Sequence, residues 1–305
     1  MNTQTNALPE SPIASREIAP AAFSFARLMY WSVRRELEEY RFIYLAPLVV
    51  AAIALFSFTL SIIAGIWEQS LRLDPRHHLK SPFDMAAGLL MLTGILVSVF
   101  YCLDALHGER RDRSILFWKS LPVSDLTTVL SKASIPLVIF PLLTFAISIA
   151  MQWMMLLVSS AVLLASGQSV AMLWRNWSVF QMPLLLLYHL LTAHALWPAP
   201  IYCWLLLVSG WARRAPFLWA VLPLVVIAGI ENLAFHTWHF ASLVGSRFIG
   251  NTSTITSTPD VFPTDPMTHI TPGHFLATPG LWIGLAVAAA FLAAAVRLRR
   301  YQGPI

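Results

Sequence analysis

The chain has 305 residues, 57% of them hydrophobic and only 11% charged, and its mean hydropathy of +0.67 excludes an ordinary soluble domain. Its net charge of +5 marks no nucleic-acid binder, because the basic residues follow the alternation of membrane loops rather than one surface stripe. Cys102 and Cys203 both fall in apolar runs, where they behave as small hydrophobes, so neither a disulfide framework nor a cysteine metal site is expected.

Residues 1–20, with Pro9, Pro12 and Pro20 among Asn, Thr and Ser, read as a disordered tail ahead of one membrane domain, 21–305. Residues 22–41 have a helical period. Phe25, Met29, Val33, Leu37 and Tyr40 share a stripe, while Arg27, Arg34 and Arg41 recur every seven residues on another face. That pattern predicts an amphipathic helix in a membrane interface, with Glu36 falling near the apolar stripe and weakening it. The first 41 residues hold no early apolar core or small-residue cleavage site, so the first apolar run is expected to be a retained span rather than a signal peptide.

A spanning helix needs about 20 mostly apolar residues. Six runs qualify, at 43–66, 85–105, 133–158, 182–209, 215–235 and 280–297, which predicts an all-α integral membrane protein with six transmembrane helices. Fifteen Lys and Arg residues then fall on the side of the two termini, and five (Arg72, Arg76, Lys80, Arg175 and Arg247) on the other. This imbalance predicts that both termini are cytoplasmic in a multi-pass cell-membrane protein.

Between the second and third runs lies a charged segment with an apolar centre. Glu109, Arg110, Arg111, Asp112, Arg113 and Lys119 cannot sit in hydrocarbon, which leaves Ile115, Leu116, Phe117, Trp118 and Leu121 in water unless a partner or the lipid interface covers them. The fourth run carries Trp197-Pro198-Ala199-Pro200, whose prolines remove backbone donors and predict a kink or an unwound stretch, with His189 and His194 to its outer side. Glu231 sits about one turn from the outer end of the fifth run. An ionisable residue at that depth is expected to face protein or water, with His189 or His194 as its polar neighbour. Gln152 in the third run reads as interhelical glue. An outer loop, 236–279, separates the last two runs, and its residues 240–249 predict a short helix over the outer opening. Asn176-Trp177-Ser178 and Asn251-Thr252-Ser253 match glycosylation tripeptides that carry little weight in a chain of this length.

No G-x-x-x-x-G-K-[ST] phosphate loop and no H-E-x-x-H motif occurs, so neither nucleotide hydrolysis by that mechanism nor the commonest intramembrane metalloprotease chemistry is expected. Ser209-Gly210 lacks the preceding glycine of a G-x-S-G nucleophile turn. His236 and His239 downstream of Glu231 are too few ligands for a metal site, and no cofactor is predicted.

The run from Glu109 to Ser124, with its Leu121-Pro122-Val123-Ser124 end, followed by Lys132 ahead of the third span, resembles the cytoplasmic segment of type 2 ABC transporter permeases. The six spans, the interfacial helix before the first and the enlarged loop before the last agree with that family. One departure is Arg111-Asp112-Arg113-Ser114, where many members have glycine and threonine, and it leaves the turn geometry open. The resemblance implies a membrane subunit with no ATP site of its own. It would pair with a second permease subunit, as homodimer or heterodimer, and with cytoplasmic ABC ATPase subunits, to export or flip a substrate. In the family this segment is a coupling helix docking on the ATPase. Carried over, Glu109, Arg110, Asp112 and Arg113 would be polar contacts, and Phe117, Trp118 and Leu121 the anchor. Glu231, His189, His194, Pro198 and Pro200 are the gate or translocation candidates. Two other classes stay open: an intramembrane enzyme using Glu231 and the span-four histidines, and a membrane anchor or assembly factor.

Overall fold

The computed structural model describes residues 25–65, 75–120, 123–165, 167, 170–171, 174, 181–249, 272–301 and 303. The predicted tail 1–20, Leu121 and both glycosylation tripeptides lie outside them. All regular structure among the described residues is helical, and five helices are long and apolar enough to cross a membrane: Phe42–Ile63, Pro82–Arg111, Asp125–Ala165, Pro216–Phe235 and Pro279–Tyr301. A bent pair, Leu186–Leu196 with Ala199–Trp211, meets the same standard if counted as one span broken by 45°. The chain is thus a multi-pass, all-α membrane protein by length and composition.

Helix α1 (Phe25–Glu39) has no proline or glycine and ends at Tyr40, after which α2 (Phe42–Ile63) begins. Its inward residues Val33 and Leu37 pack on the main core, where Tyr40 meets Tyr101 edge to face at 5.1 Å. Helix α3 (Pro75–Ala105) follows, then two short helices, α4 (His107–Arg111) and α5 (Ser114–Ser120). Arg113, between α4 and α5, has φ +58°, so the open turn is made by a non-glycine residue in the left-handed region.

Ser124 caps α6 (Asp125–Ser134) by accepting the Thr127 amide at 3.1 Å, and Asp125 in the first turn complements the helix dipole. The helix runs on through a wide π turn, Ile135–Ile139, into α7 (Phe140–Ala165). Pro136 and Pro141 each lack the donor that an α-turn would use, and the widened turn absorbs the mismatch. The fourth span shows the same device. After α8 (Gln181–His189) comes a π turn, Leu190–Leu196, in which the Trp197 amide donates five residues back to the Thr192 carbonyl. Helix α9 (Ala199–Trp211) then starts anew at Pro198 and Pro200.

Helix α10 (Pro216–Phe235) leads to α11 (His239–Ile249), and α12 (Pro272–Ala277) precedes the last long helix, α13 (Pro279–Tyr301). The predicted short helix at 240–249 is therefore present, one residue longer. Two buried clusters hold the bundle: one joins α3, α6, the first π turn and α9, the other α2, α3 and α7. Between α9 and α13, the small residues Ala199, Cys203 and Ala288 allow close approach, as interfaces between membrane helices require.

Candidate functional site

Four elements converge at the end of the bundle that holds α1, α4, α6 and the end of α13. Lys132 of α6, only 1% exposed, reaches Glu36 of α1 at 2.8 Å and Glu109 of α4 at 3.2 Å. Arg299 of α13 pairs with Glu109 and also with Asp125 at 3.1 Å. Arg35 lies 3.9 Å from Glu109, and the Tyr101 hydroxyl donates to Glu36 at 2.8 Å. Three carboxylates thus face three cations. A buried charge is tolerable only when it is paired, and each member here has at least one ion-pair partner. Glu109 Oε1 accepts no hydrogen bond among the described residues and is held by Lys132 and Arg35 through charge alone. Burial beside Asp104 and Glu36 also pushes the Tyr40 phenol well above its ordinary range, which keeps it neutral.

Backbone staples complete the base. Ser209 Oγ accepts from the amides of Leu106 and His107 at 3.0 and 2.9 Å, covering the start of α4. Arg110 donates to the Gly210 carbonyl at 2.6 Å and to the Gly303 carbonyl at 3.2 Å. Gly108 packs closely here, since a Cβ would lie 3.2 Å from Asp104 and 3.3 Å from the Tyr40 hydroxyl, and these side chains would have to give a few tenths of an ångström to admit it.

From this base α5 projects outward. Leu116 and Phe117 are 57% and 60% exposed, while Ile115 points in and is fully buried. Trp118 is half-buried, with the Arg35 guanidinium 3.3 Å over its ring. The expected ring of polar contacts is therefore divided. Asp112 and Arg113 are exposed, but Glu109 and Arg110 face inward and hold the segment instead of edging its surface. The sequence reading missed Glu36, Asp125, Arg299, Tyr101 and Ser209 as site residues. Only Glu36 carried a visible signal, as a charge on an otherwise apolar stripe.

A second polar region lies midway along the helices. His189 and His194 stack edge to face at 5.4 Å where α8 enters its π turn. His194 lines a small cavity with Gly94 and Ser98 of α3, Thr144 of α7, and Pro136 from the other π turn. The buried atoms Thr144 Oγ1, Ser148 Oγ, Tyr188 Oη, His189 Nδ1 and His194 Nδ1 have no hydrogen-bond partner among the described residues. Pro198 is buried and Pro200 half-buried at the break itself.

Glu231 is not part of that region, contrary to the expected pairing with His189 or His194. Its carboxylate accepts from the Thr237 hydroxyl at 2.9 Å and from the amides of His239 and Phe240, both at 2.8 Å. It thus caps α11, because the chain reverses at His236 in the left-handed conformation (φ +52°) and brings the first free amides of that helix back to it. The far end of α11 is tied down by Arg247, which stacks on Trp197 at 4.3 Å and donates to the Gly280 carbonyl at 2.8 Å. Gly284 makes room for this guanidinium, since a Cβ there would lie 2.6 Å from Nη1. Among the described residues no cluster of three or more His, Cys, Asp or Glu forms a metal-binding group. No protein-family model matches the chain, and neither a curated protein nor a solved structure is significantly similar to it.

Proposed function

We propose that this chain is the permease subunit of a type 2 ABC transporter, an exporter or flippase driven by a separate ATPase. It would cross the cell membrane six times, the bent fourth helix counted as one span, with both termini cytoplasmic. The observation that carries this reading is the α5 tip. An apolar Leu116-Phe117 pair stands exposed at the basic end of the bundle, on a base fixed by buried ion pairs. A small apolar anchor with charged neighbours is how a compact interface concentrates its binding energy. A rigid base suits force transmission, because displacement of the tip is passed to α1, α6 and α13 through Glu109. The basic imbalance of fifteen to five supports the cytoplasmic placement of that end.

In this reading Phe117 and Leu116 anchor the ATPase, Asp112 and Arg113 edge the contact, and Glu109 and Arg110 position it. Trp118 braces the tip against Arg35. The membrane-enzyme alternative has less support, since no hydrogen bond joins Glu231 to His189 or His194 among the described residues. The test is whether an ABC ATPase co-purifies with this chain. Phe117→Ala should lower affinity by roughly thirtyfold, the effect of losing an anchor of about 2 kcal/mol, with membrane insertion unchanged. Unchanged co-purification and unchanged transport-coupled ATP hydrolysis in Phe117→Ala and Arg113→Glu would overturn the coupling role.

A further inference from the structure

A groove of about 480 Å³ runs along the outside of α9 and α13 towards the basic end. Each wall is one helical stripe, from Trp204 to Trp211 on α9 and from Ala294 through Arg297 to Tyr301 on α13. The two tryptophans are fixed in place. The Trp204 indole donates to the Ala220 carbonyl at 3.2 Å, and Trp211 packs edge to face on Trp219 of α10 at 4.9 Å. Arg297 is exposed and makes no ion pair or hydrogen bond among the described residues, whereas Arg299, two positions on, turns inward to Glu109 and Asp125. The groove therefore combines a long apolar floor, tryptophan and tyrosine at its mouth, and one cation that has no ion pair among the described residues.

We propose that this groove binds one anionic glycerophospholipid of the cytoplasmic leaflet, with an acyl chain along the α9 wall and the phosphate at Arg297. Trp and Tyr collect at headgroup depth, and basic pockets between membrane helices on the cytoplasmic side attract anionic headgroups. A second copy of the chain suits the groove less well. Docking through this patch about a two-fold axis would bring Arg297 towards the partner's Arg297, a like-charge contact. The choice of leaflet rests on the orientation proposed above; the chemistry of the groove does not.

The test uses the full chain in detergent, with native mass spectrometry against phosphatidylglycerol and phosphatidylcholine of matched acyl chains. The wild-type protein should retain one phosphatidylglycerol in preference to phosphatidylcholine. Arg297→Gln should weaken phosphatidylglycerol about fivefold, the effect of one basic residue at an anionic headgroup, and weaken phosphatidylcholine less, because its choline cation already offsets the phosphate. Ala294→Trp, which fills the groove, should abolish both, and Arg300→Gln, exposed but outside the groove, should change neither. Equal retention of the two lipids by the wild type, or an unchanged Arg297→Gln, overturns the proposal. So does an Ala294→Trp variant that keeps its lipid but falls from dimer to monomer by light scattering, because the groove would then be a subunit interface. Labelling of position 303 from outside intact cells would overturn the orientation alone and leave the lipid preference to be read separately.

Discussion

The continuous helix formed by α6, its π turn and α7 buries polar side chains at two levels and treats them in opposite ways. At the basic end Lys132 and Asp125 join a set of three cations and three carboxylates linked in one chain of ion pairs through Glu109. Half-way along, Thr144 and Ser148 keep buried hydroxyls with no partner among the described residues, close to the equally unpartnered imidazole nitrogens of His189 and His194. The paired set ties α1, α4, α6 and α13 into one arrangement, because moving any one of them would separate buried charges. The unpaired set sits where two helices are widened into π turns by proline, so the backbone there is already interrupted. One level fixes geometry, and the other leaves room for it to change.

The largest expected effect comes from breaking the paired level. Lys132→Met leaves Glu36 and Glu109 facing each other with the central cation gone, and should cost on the order of 3–5 kcal/mol. Unfolding titrations in mixed detergent would measure it, with Arg111→Gln, an exposed surface pair, as the reference. Adding Glu36→Gln to Lys132→Met should recover part of the loss. Strict additivity of the two changes would show that the residues do not act as a unit.

The backbone staple is the next test. Ser209→Ala should cost roughly 1–3 kcal/mol, because it strands the amides of Leu106 and His107 beneath α4. The same variant should loosen α4, seen as faster amide exchange at 106–111. If exchange there is unchanged, α4 is held by Glu109 and Arg110 alone.

How much of this was legible in the sequence differs between the levels. Apolar runs located the long helices, since in hydrocarbon a run of that length has almost no alternative. The run at 215–235 matches Pro216–Phe235 nearly to the residue, whereas the one expected at 133–158 belongs to a helix that spans Asp125–Ala165, because polar turns at its start carry no hydropathy signal. Pro198 and Pro200 marked the break in the fourth span for the same local reason. Pro136 carried an equal signal for the third span, but it went unread amid an unbroken apolar stretch. The paired cluster was illegible because its members come from four separated segments. Arg299 is 190 residues from Glu109, and nothing in one sequence distinguishes it from Arg297, which counts equally towards topology. Glu231 was misread because depth alone pointed to the bundle. Its partners lie six to nine residues ahead, so the left-handed turn at His236 decided the matter.

Glu231 also offers a smaller test of the comparison, at the opposite end from the paired set. Glu231→Ala removes all three acceptor contacts at the start of α11 and should raise amide exchange across 239–249, while Glu231→Gln, which keeps an acceptor oxygen, should do so much less. Equal exchange in both variants and the wild type would mean that Arg247, stacked on Trp197, holds α11 without the cap.

The smallest effect should come with the opposite sign. Thr144→Val replaces a buried hydroxyl by a methyl of the same shape, so whether stability rises or falls reports whether that hydroxyl had been satisfied. Thr144 Oγ1 has no partner among the described residues, whereas Ser209 Oγ accepts two amides. Stability is therefore expected to stay level or rise by up to about 1 kcal/mol in Thr144→Val, against the loss in Ser209→Ala. The same mixed-detergent titration measures both variants, so the contrast is internal to one experiment. A loss in Thr144→Val comparable to that in Ser209→Ala would show that the Thr144 hydroxyl is satisfied as Ser209 Oγ is, and the division between a fixed base and an adaptable centre would fail.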